Sequence, residues 1–396
     1  MNDEGRRLLP LVIGITGFGV LTFSLITPAL PDLADALGVS RGLIGMVQGA
    51  VAVPGIFLAM AIGYLADRYG RRFVGIASLL VFGLAGMAGF FARSFWPLVA
   101  VRAVQGLGTS GILSLGIIVI GDTFPAGRER RRALGWNSAG LTITGMVSPI
   151  LGGALAEVDP FLPFLVFAGA LPMAVWARKL PGPTGHRPDP PIRHIRAMTG
   201  ALRRNGKLVD FGGLLPFGTF ALIVFAGLGF TTTPLFLESA FGVGAAMRGV
   251  IQSALSVGST TGSLLAARAA DRFGTGRVFS GGLTLIATGF GGLATSANTV
   301  FAALALAVIG LGLGLTFPLL QDFVTSSVSA EYRGVAVGSF VTFVRLGQAF
   351  GPIVGSSAAV SPGERPSFAI AAILTAAVLV TWSPARRWLR RAFSSR

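Results

Sequence analysis

Residues 103–108 read AVQGLG, and residues 307–312, which follow 204 positions later, read AVIGLG. Each hexapeptide lies inside a long apolar run, over residues 96–121 and 299–322. Because lipid cannot hydrogen-bond a bare backbone, an apolar run of about 20 residues predicts a membrane-spanning helix. Two similar runs at a fixed spacing indicate an internal repeat. This stretch therefore predicts a duplicated, helical membrane protein.

The repeat extends well beyond this hexapeptide. Further matches at an offset of 204 or 203 pair Gly38 with Gly242, Gly45 with Gly249, Gln48 with Gln252, Asp67, Arg68 and Gly70 with Asp271, Arg272 and Gly274, and Pro149 and Gly152 with Pro352 and Gly355. Repeats of this kind place a binding site near the bilayer midplane, where the two halves meet and expose it alternately to each side. The repeat therefore favours transport.

Composition agrees with a membrane protein. The chain is 52% hydrophobic and 12% charged, whereas soluble domains carry about 25% charged residues. A net charge of +16 would suit nucleic-acid binding in a soluble protein. Here the cations fall in short clusters between apolar runs, which is typical of cytoplasmic loops. We expect a lipid bilayer as partner, and no nucleic acid.

Cysteine is absent from the chain, and the two histidines share one hydrophilic stretch. Disulfides and thiolate metal sites are therefore not available, and we expect no metal and no cofactor. A nucleophile with a base and a phosphate-binding loop are also missing, so we expect a protein that is not an enzyme.

Twelve apolar runs predict an all-α membrane protein of twelve transmembrane helices in two pseudo-symmetric six-helix bundles. The runs cover residues 8–30, 43–65, 73–94, 96–121, 133–156, 160–178, 211–236, 246–269, 277–297, 299–322, 334–358 and 367–383. Residues 1–179 form the N-terminal bundle, and residues 211–396 form the C-terminal bundle with a short basic tail. The proline- and arginine-rich residues 180–210 form a cytoplasmic linker between them.

The cations also predict the orientation in the membrane. With both termini in the cytoplasm, 26 of the 32 Lys and Arg residues lie on the cytoplasmic side. The exceptions are Arg41, Arg93, Arg248 and Arg365 in predicted outer loops, and Arg102 and Arg345 within spans. Thirty arginines against two lysines suggest a bacterial source. We therefore expect a bacterial cytoplasmic (inner) membrane.

Residues 63–72, GYLADRYGRR, join spans 2 and 3 and closely resemble the loop signature of the major facilitator superfamily. Arg102, Gln105 and Gly106 in span 4, with glycine and proline motifs in spans 5 and 11, look like the drug:proton antiporter branch. Ser148 departs from that branch, which favours glycine there. Small residues and proline let membrane helices pack closely; those assigned to packing are Gly63, Gly70, Pro149, Gly152, Gly153, Gly347, Gly351, Pro352 and Gly355.

The resemblance implies a monomer. It also implies a charge network for coupling and gating at the cytoplasmic ends of the helices. Asp67 would face the start of span 11, while Arg71 would pair with Asp122. The network would also include Arg68 and Asp322, and Arg102 in span 4 would take part in coupling. Such a network either latches one conformation or clamps the topology permanently.

Arg102 and Arg345 are predicted inside spans, where a charge is costly unless it faces a cavity or a partner. They are not repeated in the opposite half, unlike Gln48 and Gln252, which we interpret as structural. Arg102 either contacts substrate or caps backbone carbonyls of neighbouring helices. The substrate-cavity candidates are Arg102, Gln105, Arg345, Gln348, Asn137, Trp136, Phe18 and Phe317.

No carboxylate is predicted deep within a span, which disfavours strongly cationic substrates. Two buried arginines suit neutral or anionic compounds, held by charge-assisted hydrogen bonds. We therefore expect a secondary active transporter that exports small hydrophobic, neutral or weakly anionic compounds in exchange for protons. The alternative is uptake or exchange of an organic or inorganic anion.

Overall fold

The computed structural model describes residues 3–58, 61–124, 128–180, 225–326 and 333–393. Within these residues the protein is helical and contains no strand. The N-terminal half comprises α1 (Asp3–Ser24), α2 (Leu30–Ala36), α3 (Gly45–Gly49), α4 (Val53–Leu58), α5 (Ala61–Tyr69), α6 (Arg71–Phe91), α7 (Phe95–Thr123), α8 (Arg128–Ala156) and α9 (Ala170–Trp176). The C-terminal half comprises α10 (Thr233–Phe241), α11 (Ala245–Phe273), α12 (Thr275–Thr295), α13 (Thr299–Ser326), α14 (Arg333–Ala358) and α15 (Glu364–Phe393).

Each predicted span is helical over most of its described residues. Short 3-10 turns at Thr27–Ala29 and Ala50–Ala52 interrupt the first two spans, and Pro28 accounts for the first because it lacks a backbone donor. The predicted linker beyond residue 180 and residues 211–224 of span 7 lie outside the described residues. Eight described stretches are long and apolar enough to cross a membrane by themselves. Spans 11 and 12 count there as one continuous stretch, Ala336–Val380.

The repeat seen in the sequence is present in the backbone. Gly38 and Gly242 have φ values of 63° and 62°, and Gly70 and Gly274 have φ values of 91° and 86°. Only glycine adopts such angles without strain. Both pairs are separated by 204 residues, so the two halves turn at equivalent places.

Each half is built around its own hydrophobic core. The N-terminal core centres on Phe82, Phe164 and Phe167, which are fully buried. Phe290 and Phe368 hold the corresponding place in the C-terminal half. Aromatic rings in the N-terminal core pack edge to face, and the ring centroids of Phe82 and Phe167 are 5.3 Å apart.

The two ends of the helices differ in charge. We call the end that carries Arg71, Arg130 and Arg272 the basic end. The opposite end, where α8 finishes at Ala156 and α11 begins at Ala245, is called the closed end, because the halves are packed together there.

Candidate functional site

The two halves meet at the closed end through two crossings that the repeat relates to each other. In the first crossing, α8 packs on α11, and the Pro149 carbonyl lies directly over Gly249. Gly153 faces the carbonyl of Ala245 in the same way. Because a side chain at either glycine would collide with backbone, only glycine permits this approach.

The second crossing repeats this arrangement between α3 and α14. Gly45 lies against the carbonyl of Pro352, which is the counterpart of Pro149. Ser356 adds a direct tie, since its hydroxyl donates to the Gly42 carbonyl at 2.7 Å and accepts from the Gly45 amide at 3.2 Å. Packing residues predicted from sequence thus include those that join the two halves.

The other predicted packing residues pack inside one half or lie outside the description. Gly152 faces Leu25, which directly follows α1, while Gly351 and Gly355 face Gly227 in the C-terminal half. Gly347 is buried in α14, Gly70 makes the turn between α5 and α6, and the surroundings of Gly63 are outside the described residues.

Toward the basic end the first crossing opens. Ser256 of α11 still donates a hydrogen bond to the carbonyl of Gly145 at 2.9 Å. Two helical turns further, on nearly the same helix faces, Ser138 and Ser263 are both exposed. The halves therefore enclose a cleft that is sealed at the closed end and widens toward the basic end.

Arg345 of α14 lies at the second crossing, beside α4 of the opposite half. The end of its aliphatic chain fills the space beside Gly55 of α4, where an added Cβ would come within 3.0 Å of Cδ. Its Nη1 donates to Oε1 of Gln348 at 2.9 Å, and the residue is 6% exposed. No carboxylate pairs with it among the described residues. Arg345 thus brings an uncompensated positive charge to the seam, which is the surface where the two halves meet.

Arg102 has a different environment. It is fully buried within the N-terminal half. Its Nε donates to the carbonyl of Val47 at 3.1 Å, and its Nη2 donates to the carbonyl of Thr22 at 2.8 Å. Nη1 donates to Gln105 at 2.7 Å. This is the carbonyl-capping arrangement, and in this conformation neither Arg102 nor Gln105 is exposed to the cleft.

The remaining cavity candidates are not brought together. Asn137 is buried and accepts a hydrogen bond from Thr16 at 2.8 Å, whereas the adjacent Trp136 is more than half exposed. Phe18 packs edge-on against Phe82, with centroids 5.9 Å apart, and Phe317 packs against Phe340 at the same separation. Of the predicted set, Arg345 contacts the opposite half beside Gly55, and Gln348 is hydrogen-bonded to it.

Gln48 and Gln252 have the structural role expected of a repeated pair. The Gln48 side chain donates to the carbonyl of Phe23 at 2.6 Å, and that of Gln252 donates to the carbonyl of Gly229 at 2.9 Å. Each glutamine thereby connects the second membrane span of its half to the first span.

At the basic end, the predicted pair between Arg71 and Asp122 is present, with Nε 2.8 Å from Oδ2. Arg68 is exposed and donates to the Tyr64 hydroxyl at 3.1 Å. Asp322 is exposed near the end of α13, and the side chain of Asp67 lies outside the described residues. A gating role for these residues stays a prediction.

One charged residue was assigned to the wrong environment. Arg248 was expected in an outer loop, but it lies in the first turn of α11 with its side chain 1% exposed. There it forms an ion pair with Asp32 of the other half. The sequence contained no signal for this pair, because the two residues lie 216 positions apart.

The fold and its repeated crossings can be compared with known proteins. The profile of the Major Facilitator Superfamily matches residues 12–255 and 217–395. These matches cover nearly the entire chain. The chain belongs to the Major Facilitator Superfamily. The family expected from residues 63–72 is confirmed.

Several superfamily members are similar over most of their length. The multidrug transporter protein MdtP of Bacillus subtilis is 24% identical over 89% of this chain and 75% of its own. The gentisate transporter of Corynebacterium glutamicum is 28% identical over 96% of this chain and 88% of its own. The crystal structure of the nucleoside transporter NupG aligns with a TM-score of 0.72 at 17% identity, covering 97% and 99% of the two chains. This chain is therefore a multi-pass membrane transporter of the superfamily, and the multidrug relative agrees with the predicted drug-efflux branch.

Proposed function

We propose that this transporter exports small hydrophobic compounds that are neutral or weakly anionic, in exchange for protons. It does so as a monomer in a bacterial inner membrane, by alternating access between its two halves. The observation that carries the proposal is Arg345, a buried cation at the seam that lacks a carboxylate partner in the described part of the chain. A bound compound with a partial or full negative charge would supply that partner.

The positive-inside rule supports placing the basic end and both termini in the cytoplasm. The cleft then opens to the cytoplasm, and the closed end faces outward. A compound would enter from the cytoplasm or the inner leaflet, reach Arg345 and Gln348, and leave once the closed end has parted. This orientation fits an exporter at the loading stage of its cycle.

The positions of the acidic residues support the proposed substrate class. Every Asp and Glu in the described ranges lies within five residues of a helix end or in a loop. A strongly cationic compound would therefore find no counter-charge at mid-membrane among these residues, but would find Arg345. Compounds with a carboxylate or a phenol suit the site better.

Replacing Arg345 by glutamine should reduce transport of a weak acid far more than that of a neutral compound. A charge-assisted hydrogen bond is worth about 1.5–3 kcal/mol, so salicylate transport should fall roughly 10- to 100-fold. Chloramphenicol transport should change little. The measurement is flux into proteoliposomes with and without an imposed pH gradient, with ethidium as the cationic comparison.

Arg345→Lys is the matched control, because it keeps the charge and should retain most salicylate flux. If the wild-type protein moves none of the three probes when a pH gradient is imposed, proton-coupled export is wrong. If glutamine at position 345 lowers all three fluxes equally, Arg345 serves the conformational cycle and not substrate choice.

Anion exchange without proton movement is the second candidate function. The uncompensated charge of Arg345 favours it too, and so does the relative named as a gentisate transporter. Counterflow decides between the two. Labelled salicylate entering vesicles preloaded with unlabelled salicylate, with no pH change and no dependence on a pH gradient, would favour exchange.

A further inference from the structure

Four charged side chains bridge the seam at the closed end. Arg248 is ion-paired with Asp32, and Nη2 of Arg41 lies 2.6 Å from the carboxylate of Glu238. Asp32 and Arg41 belong to the N-terminal half, while Glu238 and Arg248 belong to the C-terminal half. Each half thus contributes one acid and one base. We call these four residues the closed-end quartet.

Arg248 is the member that most needs a counter-charge. Its side chain is 1% exposed, and its Nε and Nη1 have no hydrogen-bond partner within the described ranges. It lies in the first turn of α11, where the positive end of the helix dipole disfavours a cation. Glu157 of the opposite half accepts a hydrogen bond from the Ala246 amide at 2.9 Å and offsets part of that dipole. The N-terminal half therefore supplies much of the negative charge around Arg248.

Glu238 is the carboxylate that stays with Arg248 when the halves separate. It belongs to the same half as Arg248, and the two residues lie on α10 and α11, which contact each other on either side of the turn at Gly242. If the closed end opens, Arg248 loses Asp32 and Glu238 loses Arg41 together. Two opposite charges then remain near each other on one half. Because the positive end of the α11 dipole disfavours an unpaired cation in either conformation, pairing between them follows.

We propose that the closed-end quartet exchanges partners during transport. The cross-half pairs Asp32–Arg248 and Arg41–Glu238 hold the closed end shut. When it opens, Arg248 and Glu238 pair within the C-terminal half. The exchange gives Arg248 and Glu238 a partner in both conformations, which makes the seam bistable. These residues position the halves and do not contact the transported compound, so the proposal is independent of substrate.

Two substitutions that break the same cross-half pair distinguish exchange from a static clamp. Arg41→Gln removes a contact made only when the end is closed. Glu238→Gln removes that contact and also the replacement partner of Arg248 in the open conformation. Exchange therefore predicts unequal effects, whereas a static clamp predicts equal ones. Both side chains are about one-third exposed, at 32% and 31%, so both variants should fold.

The absence of cysteine from the chain makes spin labelling direct. Val158→Cys and Val300→Cys place labels on opposite halves at the closed end, at positions that are 80% and 68% exposed. Double electron–electron resonance on the full-length protein in lipid nanodiscs then gives the fraction with the closed end open. Arg41→Gln should raise the open-to-closed ratio about threefold, as expected for a partly exposed ion pair. Glu238→Gln should raise it by less than half as much.

A charge reversal gives a result of opposite sign. Arg41→Glu combined with Glu238→Arg keeps a cross-half pair but places two cations together on the C-terminal half. The open fraction should then fall below that of the unsubstituted protein. Arg93→Gln is the control, since it breaks an ion pair with Asp159 that lies 3.2 Å apart within one half at the same end. It should leave the distances unchanged.

Equal shifts for Arg41→Gln and Glu238→Gln, with the reversed pair restoring the original distances, would overturn the exchange and leave a static clamp. Unchanged distances in every variant would overturn both. A loss of transport with normal label distances would instead concern the proposed function, because the label measurement requires no substrate.

Discussion

Leucine in place of Gly249 should hold the closed end open and stop transport while the protein remains folded. Gly249 lies against the backbone carbonyl of Pro149 in the other half, so an added Cβ collides with an atom that cannot rotate away. Forcing extra carbons into a packed contact costs about 1–3 kcal/mol or more. That cost falls on the closed conformation alone. We expect flux to fall by more than about tenfold, with the labels at positions 158 and 300 moved apart.

The matched control is Gly281→Leu in α12, where a Cβ meets no atom within 4 Å. It should transport normally. Gly45→Leu, at the crossing related by the repeat, should behave as Gly249→Leu does, because Gly45 lies against the carbonyl of Pro352. Normal flux with unchanged label distances in Gly249→Leu would show that the working protein does not close at this crossing.

Loss of Arg102 should destabilise the fold more than loss of any substrate contact would. Methionine at this position has a similar length but leaves the carbonyls of Val47 and Thr22 and the Gln105 side chain without their donor. Each unsatisfied buried group costs about 1–3 kcal/mol, partly offset because a buried charge is also removed. We expect a net loss of about 2–4 kcal/mol, measured by reversible unfolding in detergent.

Arg345→Met provides the comparison. Arg345 donates to one side chain, Gln348, and caps no backbone carbonyl in the described contacts. Its loss should therefore cost less than about 1.5 kcal/mol of stability, although it should impair transport of weak acids. If Arg102→Met were as stable as the unsubstituted protein but had lost transport, the capping role would be wrong and the predicted coupling or substrate role would stand.

Several features of the fold follow from short-range properties of the chain. Apolar runs of membrane-spanning length become helices because lipid leaves no other way to satisfy the backbone. The repeat offset identifies the glycines with positive φ at positions 38, 70, 242 and 274. The proline and glycine motifs of spans 5 and 11 predict close helix packing, and Gly152 and Gly153 lie against backbone carbonyls. The motifs did not indicate that Pro149 and Pro352 would contact the opposite half.

The contacts of the two buried arginines could not be predicted from short-range properties of the chain. Both Arg102 and Arg345 stand out as charges inside spans, and sequence treats them alike. Whether a guanidinium reaches carbonyls of its own bundle or the opposite half depends on helix rotation and on neighbours far away in the chain. Val47 is separated from Arg102 by 55 positions in the sequence, and Gly55 is separated from Arg345 by 290 positions. Local periodicity carries no information about either neighbour.

Hydropathy and repeat spacing are properties of single segments and of their order, so they predict a duplicated helical membrane transporter without any knowledge of distant contacts. The packing of distant segments fixes which end of the cleft is sealed and which charges hold it shut. Asp32 and Arg248 looked like ordinary charges at helix ends until folding brought them together across 216 residues. Such pairing arises from the docking of two independently packed halves, and its free energy depends on both conformations of the seam.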